Sequence, residues 1–195
     1  MPRSHGSRWH TAARLLLALV VPALLLAGCD RGTAADGASA EPAVPAATDP
    51  ADVATPPPLH PEVDRLPAGT VLVDPGGRAA ELPVAVRIAG TDDSRRFGLM
   101  EVPEVPDGVG MWFTYGEDRT GGFWMRNTLV DLDIAWVDAA GRIVAIATME
   151  VCDADPCPSY EPGAPYRHAL EVPAGWLDAN DVEVGDTAAL VGTAP

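Results

Sequence analysis

The sequence GGFWMRNTLVDLD, residues 121–133, joins three kinds of side chain within thirteen positions. Large apolar residues at 123–125 are followed by the polar cluster Arg126-Asn127-Thr128 and then by the carboxylates Asp131 and Asp133. A core strand has no need of such a cluster, because a buried polar group costs free energy unless it finds a partner. We call residues 121–133 the junction segment. It predicts the start of a central hairpin and a candidate site beside it.

The hairpin itself follows from the pattern directly after the junction segment. Leu132, Ile134 and Trp136 alternate on one face, which is the period of a β-strand. The residues Asp138–Gly141 supply a turn, and the β-branched stretch at 143–151 returns as the second strand.

The rest of the folded part has many short strands and frequent turn signals. Two short helices are expected, one after Thr91, whose side chain can cap it, and one at 173–179 with Trp176 turned inward. We therefore predict a mainly β fold, a compact antiparallel β barrel or sandwich with two short helices. The further predicted strands are 70–74, 82–88, 110–115, 166–172 and 187–191.

The N-terminal part has the pattern of an export signal. Arginines precede an apolar run from Leu15 to Leu26, which is short and interrupted by Pro22 and ends at Leu26-Ala27-Gly28-Cys29. This ending resembles a bacterial lipobox. We predict a signal peptide over residues 1–28 and lipidation of Cys29, the alternative being an ordinary signal with an incidental cysteine. The protein is then expected to be exported and lipid-anchored to the extracytoplasmic face of the cell membrane.

Residues 29–67 differ in composition from the C-terminal two thirds of the chain. They contain no aromatic residue and are dominated by alanine, proline and acidic residues. Such a stretch buries too little apolar surface to offset its ordering entropy. We predict a disordered tether over residues 29–67 and a β domain over residues 68–195.

The charge of the chain excludes some classes of partner. Its formal net charge is −15, and it contains no lysine. Nucleic-acid phosphates and anionic lipid headgroups repel such a surface, so we expect no nucleic-acid partner. The membrane contact is expected only through the lipid on Cys29.

Two further cysteines, Cys152 and Cys157, lie in the proline-containing sequence CDADPC. In an exported protein two nearby cysteines most often form a disulfide, and reactive thiols are the alternative. With His168 as the one histidine near them in the β domain, they do not complete a four-ligand zinc set. We expect a disulfide, no metal and no cofactor.

Six short motifs follow one another in a fixed order: FGLM (97–100), GMWF (110–113), FWMRNT (123–128), LDI (132–134), LEVPAG (170–175) and GD (185–186). Together they resemble one family, called domain of unknown function 192 or uncharacterised protein family 0127. The resemblance extends over residues 70–191 and implies no established activity, since none is known for the family. Glu101 and Val102 stand where the family usually has an aromatic and a basic residue, and Trp112 stands where leucine is commoner.

The carboxylates of the junction segment have two interpretations. Asp131 and Asp133 are two residues apart, so on a strand they share a face and could serve as an acid and base pair or as ligands of a hard cation. Alternatively, they hydrogen-bond the backbone near a bend, or Asp133 pairs with Arg126.

The polar cluster is the stronger candidate for a binding site. Arg126 can hold a carboxylate or phosphate with its guanidinium fork, or it can form an internal ion pair with Glu171 or Asp133. Trp124, Asn127 and Thr128 can line a pocket beside it. We expect a non-enzymatic binding or accessory domain for a small polar ligand or an envelope protein. The alternative is a hydrolytic enzyme that uses Asp131 or Asp133 with Arg126.

Overall fold

The computed structural model describes residues 55–194. The predicted signal peptide, the predicted lipidation site Cys29 and most of the predicted tether lie outside these residues. Within the described range, no helix has the length and apolar character needed to cross a bilayer.

Residues 55–194 form nine strands and three short helices. The helices are α1 (Pro61–Asp64), α2 (Asp92–Phe97) and α3 (Trp176–Ala179). The strands are β1 (Ala68–Asp74), β2 (Leu82–Ala89), β3 (Val109–Arg119), β4 (Phe123–Trp124), β5 (Leu132–Val137), β6 (Ile143–Met149), β7 (Ser159–Tyr160), β8 (Tyr166–Pro173) and β9 (Thr187–Ala194).

Seven strands form one sheet in the order β6-β5-β8-β3-β2-β1-β9, and β4 pairs with β7 in a separate ribbon. All pairs are antiparallel except β2 with β3. The two edge strands approach at one end, where Arg142 bridges Thr187 and the Ile143 amide donates to the Asp186 carbonyl at 2.8 Å. The predicted mainly antiparallel β fold is confirmed. The sheet stops short of a closed barrel, because the edges pair only at this end.

The sheet buries apolar side chains on both faces. In β5, Leu132, Ile134 and Trp136 pack into one cluster, as their alternation predicts, while Ala135 and Val137 pack into the other. Trp176 of α3 also belongs to the second cluster. A strand covered on both faces lies at the centre of the fold, so the residues just before it are held firmly.

Residues 59–66, which belong to the predicted tether, pack against the β domain. Residues 61–64 form α1, whose N-cap is His60, and Val63 is completely buried in the first cluster. Leu59 and Leu66 pack against the same cluster. Leu59, Val63 and Leu66 recur at the i, i+4, i+7 spacing of a helix. The overall composition of residues 29–67 does not show this pattern.

Helix α2 begins directly after Thr91, as the sequence predicts. Thr91 and Ser94 form a reciprocal capping box, and Gly98 follows the helix with a positive φ of 55°. The guanidinium of Arg95 donates to the carbonyl oxygens of Gly90 and Thr114, at 2.6 and 2.9 Å. The helix is therefore fixed to β3, and its C-terminal end faces the junction segment.

Candidate functional site

A cleft of about 460 Å³ lies between the end of α2 and the junction segment. One wall comes from α2 and the turn after it. The other comes from Trp124 at the end of β4 and from Arg126 and Asn127. We call it the junction cleft. Its lining residues are Asp93, Arg96, Phe97, Met100, Trp124, Arg126 and Asn127.

The polar cluster is part of a turn, residues 125–128, at the edge of the core. The Thr128 amide donates to the Met125 carbonyl at 3.2 Å, and Asn127 has a positive φ of 56°. Met125 is buried, whereas Arg126 and Asn127 are exposed. The turn thus anchors its apolar end in the core and presents its polar end to the cleft.

Trp124 is the aromatic surface of the site. Its side chain is 47% exposed, and β4 is held by pairing with β7. The preceding Phe123 turns inward and makes an edge contact with Phe113, with ring centroids 5.0 Å apart. The guanidinium carbon of Arg126 lies 5.9 Å from the centre of the Trp124 ring. A planar group can therefore stack on Trp124 while its polar end meets Arg126.

The cleft carries a local positive charge in an acidic protein. Within residues 55–194, Arg126 forms no ion pair, and its contact with Trp124 leaves its N–H donors to solvent. The second arginine, Arg96, lies 3.6 Å from Asp93, and both side chains are strongly exposed. Such an exposed pair contributes little stability and can open when an anion arrives.

Beneath the cleft lies a smaller cavity of about 30 Å³, which shares the lining residues Arg96, Phe97, Met100 and Trp124. Thr128 and Glu171 line its inner part. Glu171 is only 5% exposed, and burial raises the pKa of its carboxyl to about 8. The site therefore has a buried acidic group below it. From the sequence, Glu171 was considered only as an ion-pair partner of Arg126. The two side chains form no salt bridge in the part of the chain that the structure describes.

Strand pairing explains why Glu171 is buried. It lies opposite Met111 of β3 and Ile134 of β5, both fully buried in the first cluster. The approach of β3 is unusually close at Gly110, where a Cβ atom would overlap the Glu171 carbonyl oxygen. Only glycine fits there, so this position of β8 depends on Gly110.

The structure does not bring Asp131 and Asp133 into the junction cleft. Asp133 is 3% exposed, accepts from the Thr148 hydroxyl at 2.7 Å, and accepts from the Leu177 amide at 3.1 Å. Asp131 is exposed and accepts from the Val151 amide at 2.6 Å. Both carboxylates thus accept hydrogen bonds from other segments of the chain. Within residues 55–194, neither forms an ion pair with Arg126.

The predicted disulfide is confirmed, because Cys152 and Cys157 are joined. The bridge lies between β6 and β7, and β7 pairs with the strand that carries Trp124. Tyr160 of β7 also accepts a hydrogen bond from the Glu150 amide through its hydroxyl oxygen, at 3.0 Å. The disulfide loop therefore supports the ribbon on which the aromatic surface of the cleft rests.

Five residues of the site were not assigned to it from the sequence: Asp93, Arg96, Phe97, Met100 and Glu171. Phe97 and Met100 belong to the motif FGLM, and Glu171 interrupts the otherwise apolar run ALEV. A lone acid at a core position of a strand is the signal that could have revealed Glu171.

Residues 72–190 match the sequence profile of domain of unknown function 192 (DUF192), described as an uncharacterized ACR. No curated protein matches the chain. A candidate transcription regulator from Sinorhizobium meliloti 1021 is 26% identical, with a TM-score of 0.59 over 64% of this chain and 95% of that chain. A protein of unknown function from Novosphingobium aromaticivorans DSM 12444 is 29% identical, with a TM-score of 0.62 over 73% of this chain and 99% of that chain.

Proposed function

Because the chain belongs to the family of domain of unknown function 192, whose description gives no activity, we propose its function from the junction cleft: the domain binds a small anionic ligand that has a planar or apolar portion. The ligand's charged group meets Arg126, and its planar portion lies on Trp124. The cleft has a volume of about 460 Å³ and is open to solvent, so a ligand bound there remains partly exposed.

One observation carries this proposal: Arg126 lies beside an exposed tryptophan without an ion pair in the described part of a chain whose net charge is −15. Carboxylates are abundant in this protein, yet none among residues 55–194 lies within ion-pair distance of that guanidinium. An arginine of this kind next to an aromatic face is suited to an oxyanion with a flat apolar body. The same net charge speaks against nucleic acid, so the regulator description of the Sinorhizobium protein is not carried over to this chain.

A protein partner is the second candidate, and the exposure of Leu129 favours it. This side chain is 56% exposed, five positions after the half-exposed Trp124. Exposed apolar side chains around an arginine also occur at the centres of protein interfaces. Crosslinking of the full-length chain in cells tests it. A crosslinked partner that is lost in a Leu129→Ser variant, while Arg126→Gln retains it, would favour this candidate over the small ligand.

We also propose that the protein works at the extracytoplasmic face of the membrane, attached by a lipid on Cys29. The lipobox-like sequence supports this location, and so does the Cys152–Cys157 disulfide, which is typical of oxidising compartments. In cell fractionation, the wild-type chain is expected with the membranes and a Cys29→Ser variant among the soluble exported proteins. Wild-type protein in the soluble fraction would contradict the anchor.

Ligand binding can be tested with three probes that share one ring. Benzoate, benzyl alcohol and benzylamine are titrated into the full-length chain by isothermal calorimetry. Benzoate is expected to bind best, and Arg126→Gln is expected to weaken it about tenfold, since a charge-assisted hydrogen bond contributes about 1.5 kcal/mol or more. Arg119→Gln, which changes an arginine outside the cleft, is the matched control. Equal binding of benzylamine, or full benzoate binding by Arg126→Gln, would contradict the proposal.

A further inference from the structure

Glu171 is a buried carboxyl group without a protein partner in the described range. It lies opposite Met111 and Ile134 in the sheet and lines the 30 Å³ cavity under the junction cleft. Burial in apolar surroundings without a partner favours the neutral form of a carboxyl group, because the charged form loses its hydration. The pKa, raised by burial to about 8, agrees with this geometric argument.

The charged and titratable groups that face Glu171 do not neutralise it. On the helix side they are Arg95 and Arg96, and on the strand side Tyr115. Arg95 is occupied by two backbone carbonyls and Asp92, and Arg96 reaches towards Asp93. Both arginines nevertheless line the cavity. A ligand cation that reached Glu171 would meet them first.

The cavity itself has room for one functional group. A volume of about 30 Å³ is enough for one water molecule or a single polar group of similar size. Thr128 contributes a second polar side chain to its wall, and the wall it shares with the junction cleft consists of Arg96, Phe97, Met100 and Trp124. A ligand held in the cleft can therefore place one substituent over Glu171.

We infer that Glu171 is a ligand-binding residue: as a neutral carboxylic acid it donates a hydrogen bond to an acceptor oxygen on the part of the ligand that lies deepest. This inference rests on the proposed function and names its ligand class more closely. The ligand carries an anionic group for Arg126, a flat body for Trp124 and a second, uncharged acceptor oxygen for Glu171. The cations along the cavity wall favour an acceptor over an ammonium group at that end.

Three para-substituted benzoates test the inference, because all of them keep the carboxylate that Arg126 requires. 4-Acetylbenzoate offers an acceptor oxygen, 4-isopropylbenzoate has the same shape without it, and 4-(aminomethyl)benzoate offers an ammonium group. Calorimetric titrations of the full-length chain are made at pH 6.5 and 9.5. At pH 6.5 the acetyl compound is expected to bind about tenfold more tightly than the isopropyl compound, the usual effect of one buried hydrogen bond. At pH 9.5 this preference disappears, because ionised Glu171 has no proton to donate.

Two variants separate the hydrogen bond from packing. Glu171→Gln keeps a donor of the same shape, so the preference for the acetyl compound should persist and become independent of pH. Glu171→Leu removes the donor, so the preference should be lost while the isopropyl compound still binds.

Tighter binding of the aminomethyl compound, or an acetyl preference that survives in Glu171→Leu, would overturn the inference. If the acetyl and isopropyl compounds bind equally and both depend on Arg126, the inference fails and the proposed function stands. If none of the three binds, both fail.

Discussion

The amide of Glu101 donates a hydrogen bond to the carbonyl oxygen of Asn127, with 2.9 Å between nitrogen and oxygen, and both residues have positive φ angles, 61° and 56°. This bond joins the turn after α2 to the polar cluster, so it ties together the two walls of the junction cleft. Neither residue is glycine, and left-handed backbone is uncommon for other residues. The local conformations are therefore maintained by the packing around them.

The conformation of Asn127 predicts different effects for two substitutions that both remove its side chain. Asn127→Ala should lower the free energy of unfolding by about 1 kcal/mol, because alanine tolerates the left-handed region less well than asparagine. Asn127→Gly should have a smaller effect, since glycine adopts this φ readily. Urea unfolding measures both variants. Equal destabilisation by the two would show that the side chain, and not the φ angle, matters for stability.

Trp124 should contribute to binding and, as a half-buried residue, less to stability than a core tryptophan. Trp124→Ala should lower the free energy of unfolding by about 2 kcal/mol, compared with about 3–5 kcal/mol for a fully buried tryptophan. The same change should weaken benzoate binding by about 1 kcal/mol through loss of the aromatic surface, and Trp124→Phe should recover much of that loss. Calorimetry and urea unfolding provide the two measurements. A Trp124→Ala variant that binds normally but unfolds early would assign the residue to the core.

Glu171 predicts a defined dependence of stability on pH. Its carboxyl ionises near pH 4.5 in the unfolded chain and, because burial raises its pKa, near 8 in the folded protein. Between these values the folded state binds the extra proton. The contribution of the protonated carboxyl to the free energy of unfolding is complete below pH 4.5. It is lost as the pH rises through 8, by up to about 1.4 kcal/mol per pH unit.

The measurement is the difference in unfolding free energy between wild type and Glu171→Gln from pH 4.5 to 8.5. Wild type should become steadily less stable relative to the variant over this interval. Glu81→Gln, which removes an exposed carboxylate, is the matched control. A constant difference for Glu171→Gln would mean that the carboxyl is ionised in the folded protein.

Asp133 should contribute more to stability than Asp131. Asp133 accepts from two donors, so Asp133→Asn turns an amide N–H₂ towards one of them and should cost about 1–3 kcal/mol. Asp131 accepts from one exposed amide, and Asp131→Asn can keep that bond through its oxygen, at a cost of about 0.5 kcal/mol or less. Urea unfolding of both variants checks the contrast. A hydrolytic activity that Asp133→Asn abolished without loss of stability would return the carboxylates to a catalytic role.

The disulfide should contribute modestly to the global stability of the domain and more to the local stability of the β4–β7 ribbon. A bridge between cysteines five residues apart stabilises by about 2 kcal/mol on the chain-entropy estimate. The double substitution Cys152→Ser and Cys157→Ser should lower the unfolding free energy by up to this amount. Hydrogen exchange should increase most at the β4–β7 ribbon that carries Trp124. Unchanged exchange there would show that the loop does not support the aromatic surface.

Local sequence patterns were sufficient for most elements of the fold. The hairpin of β5 and β6, the cap of α2 at Thr91 and the inward Trp176 follow from alternation, capping chemistry and turn residues within a few positions of each other. The two-residue strands β4 and β7 were not predicted, because a strand of that length is defined by its partner and not by its own pattern.

The sequence by itself determined where the longer strands and their turns form, that the chain is strongly acidic, and that Arg126 and Asn127 stand at a junction between apolar and polar residues. Only the tertiary structure decided that β8 lies between β3 and β5 and that α2 faces the polar cluster. Those two placements put Glu171 beneath Trp124 and set Asp131 and Asp133 apart from Arg126. The physical reason is that strand order and helix position are set by burial of the whole domain, which no local pattern records.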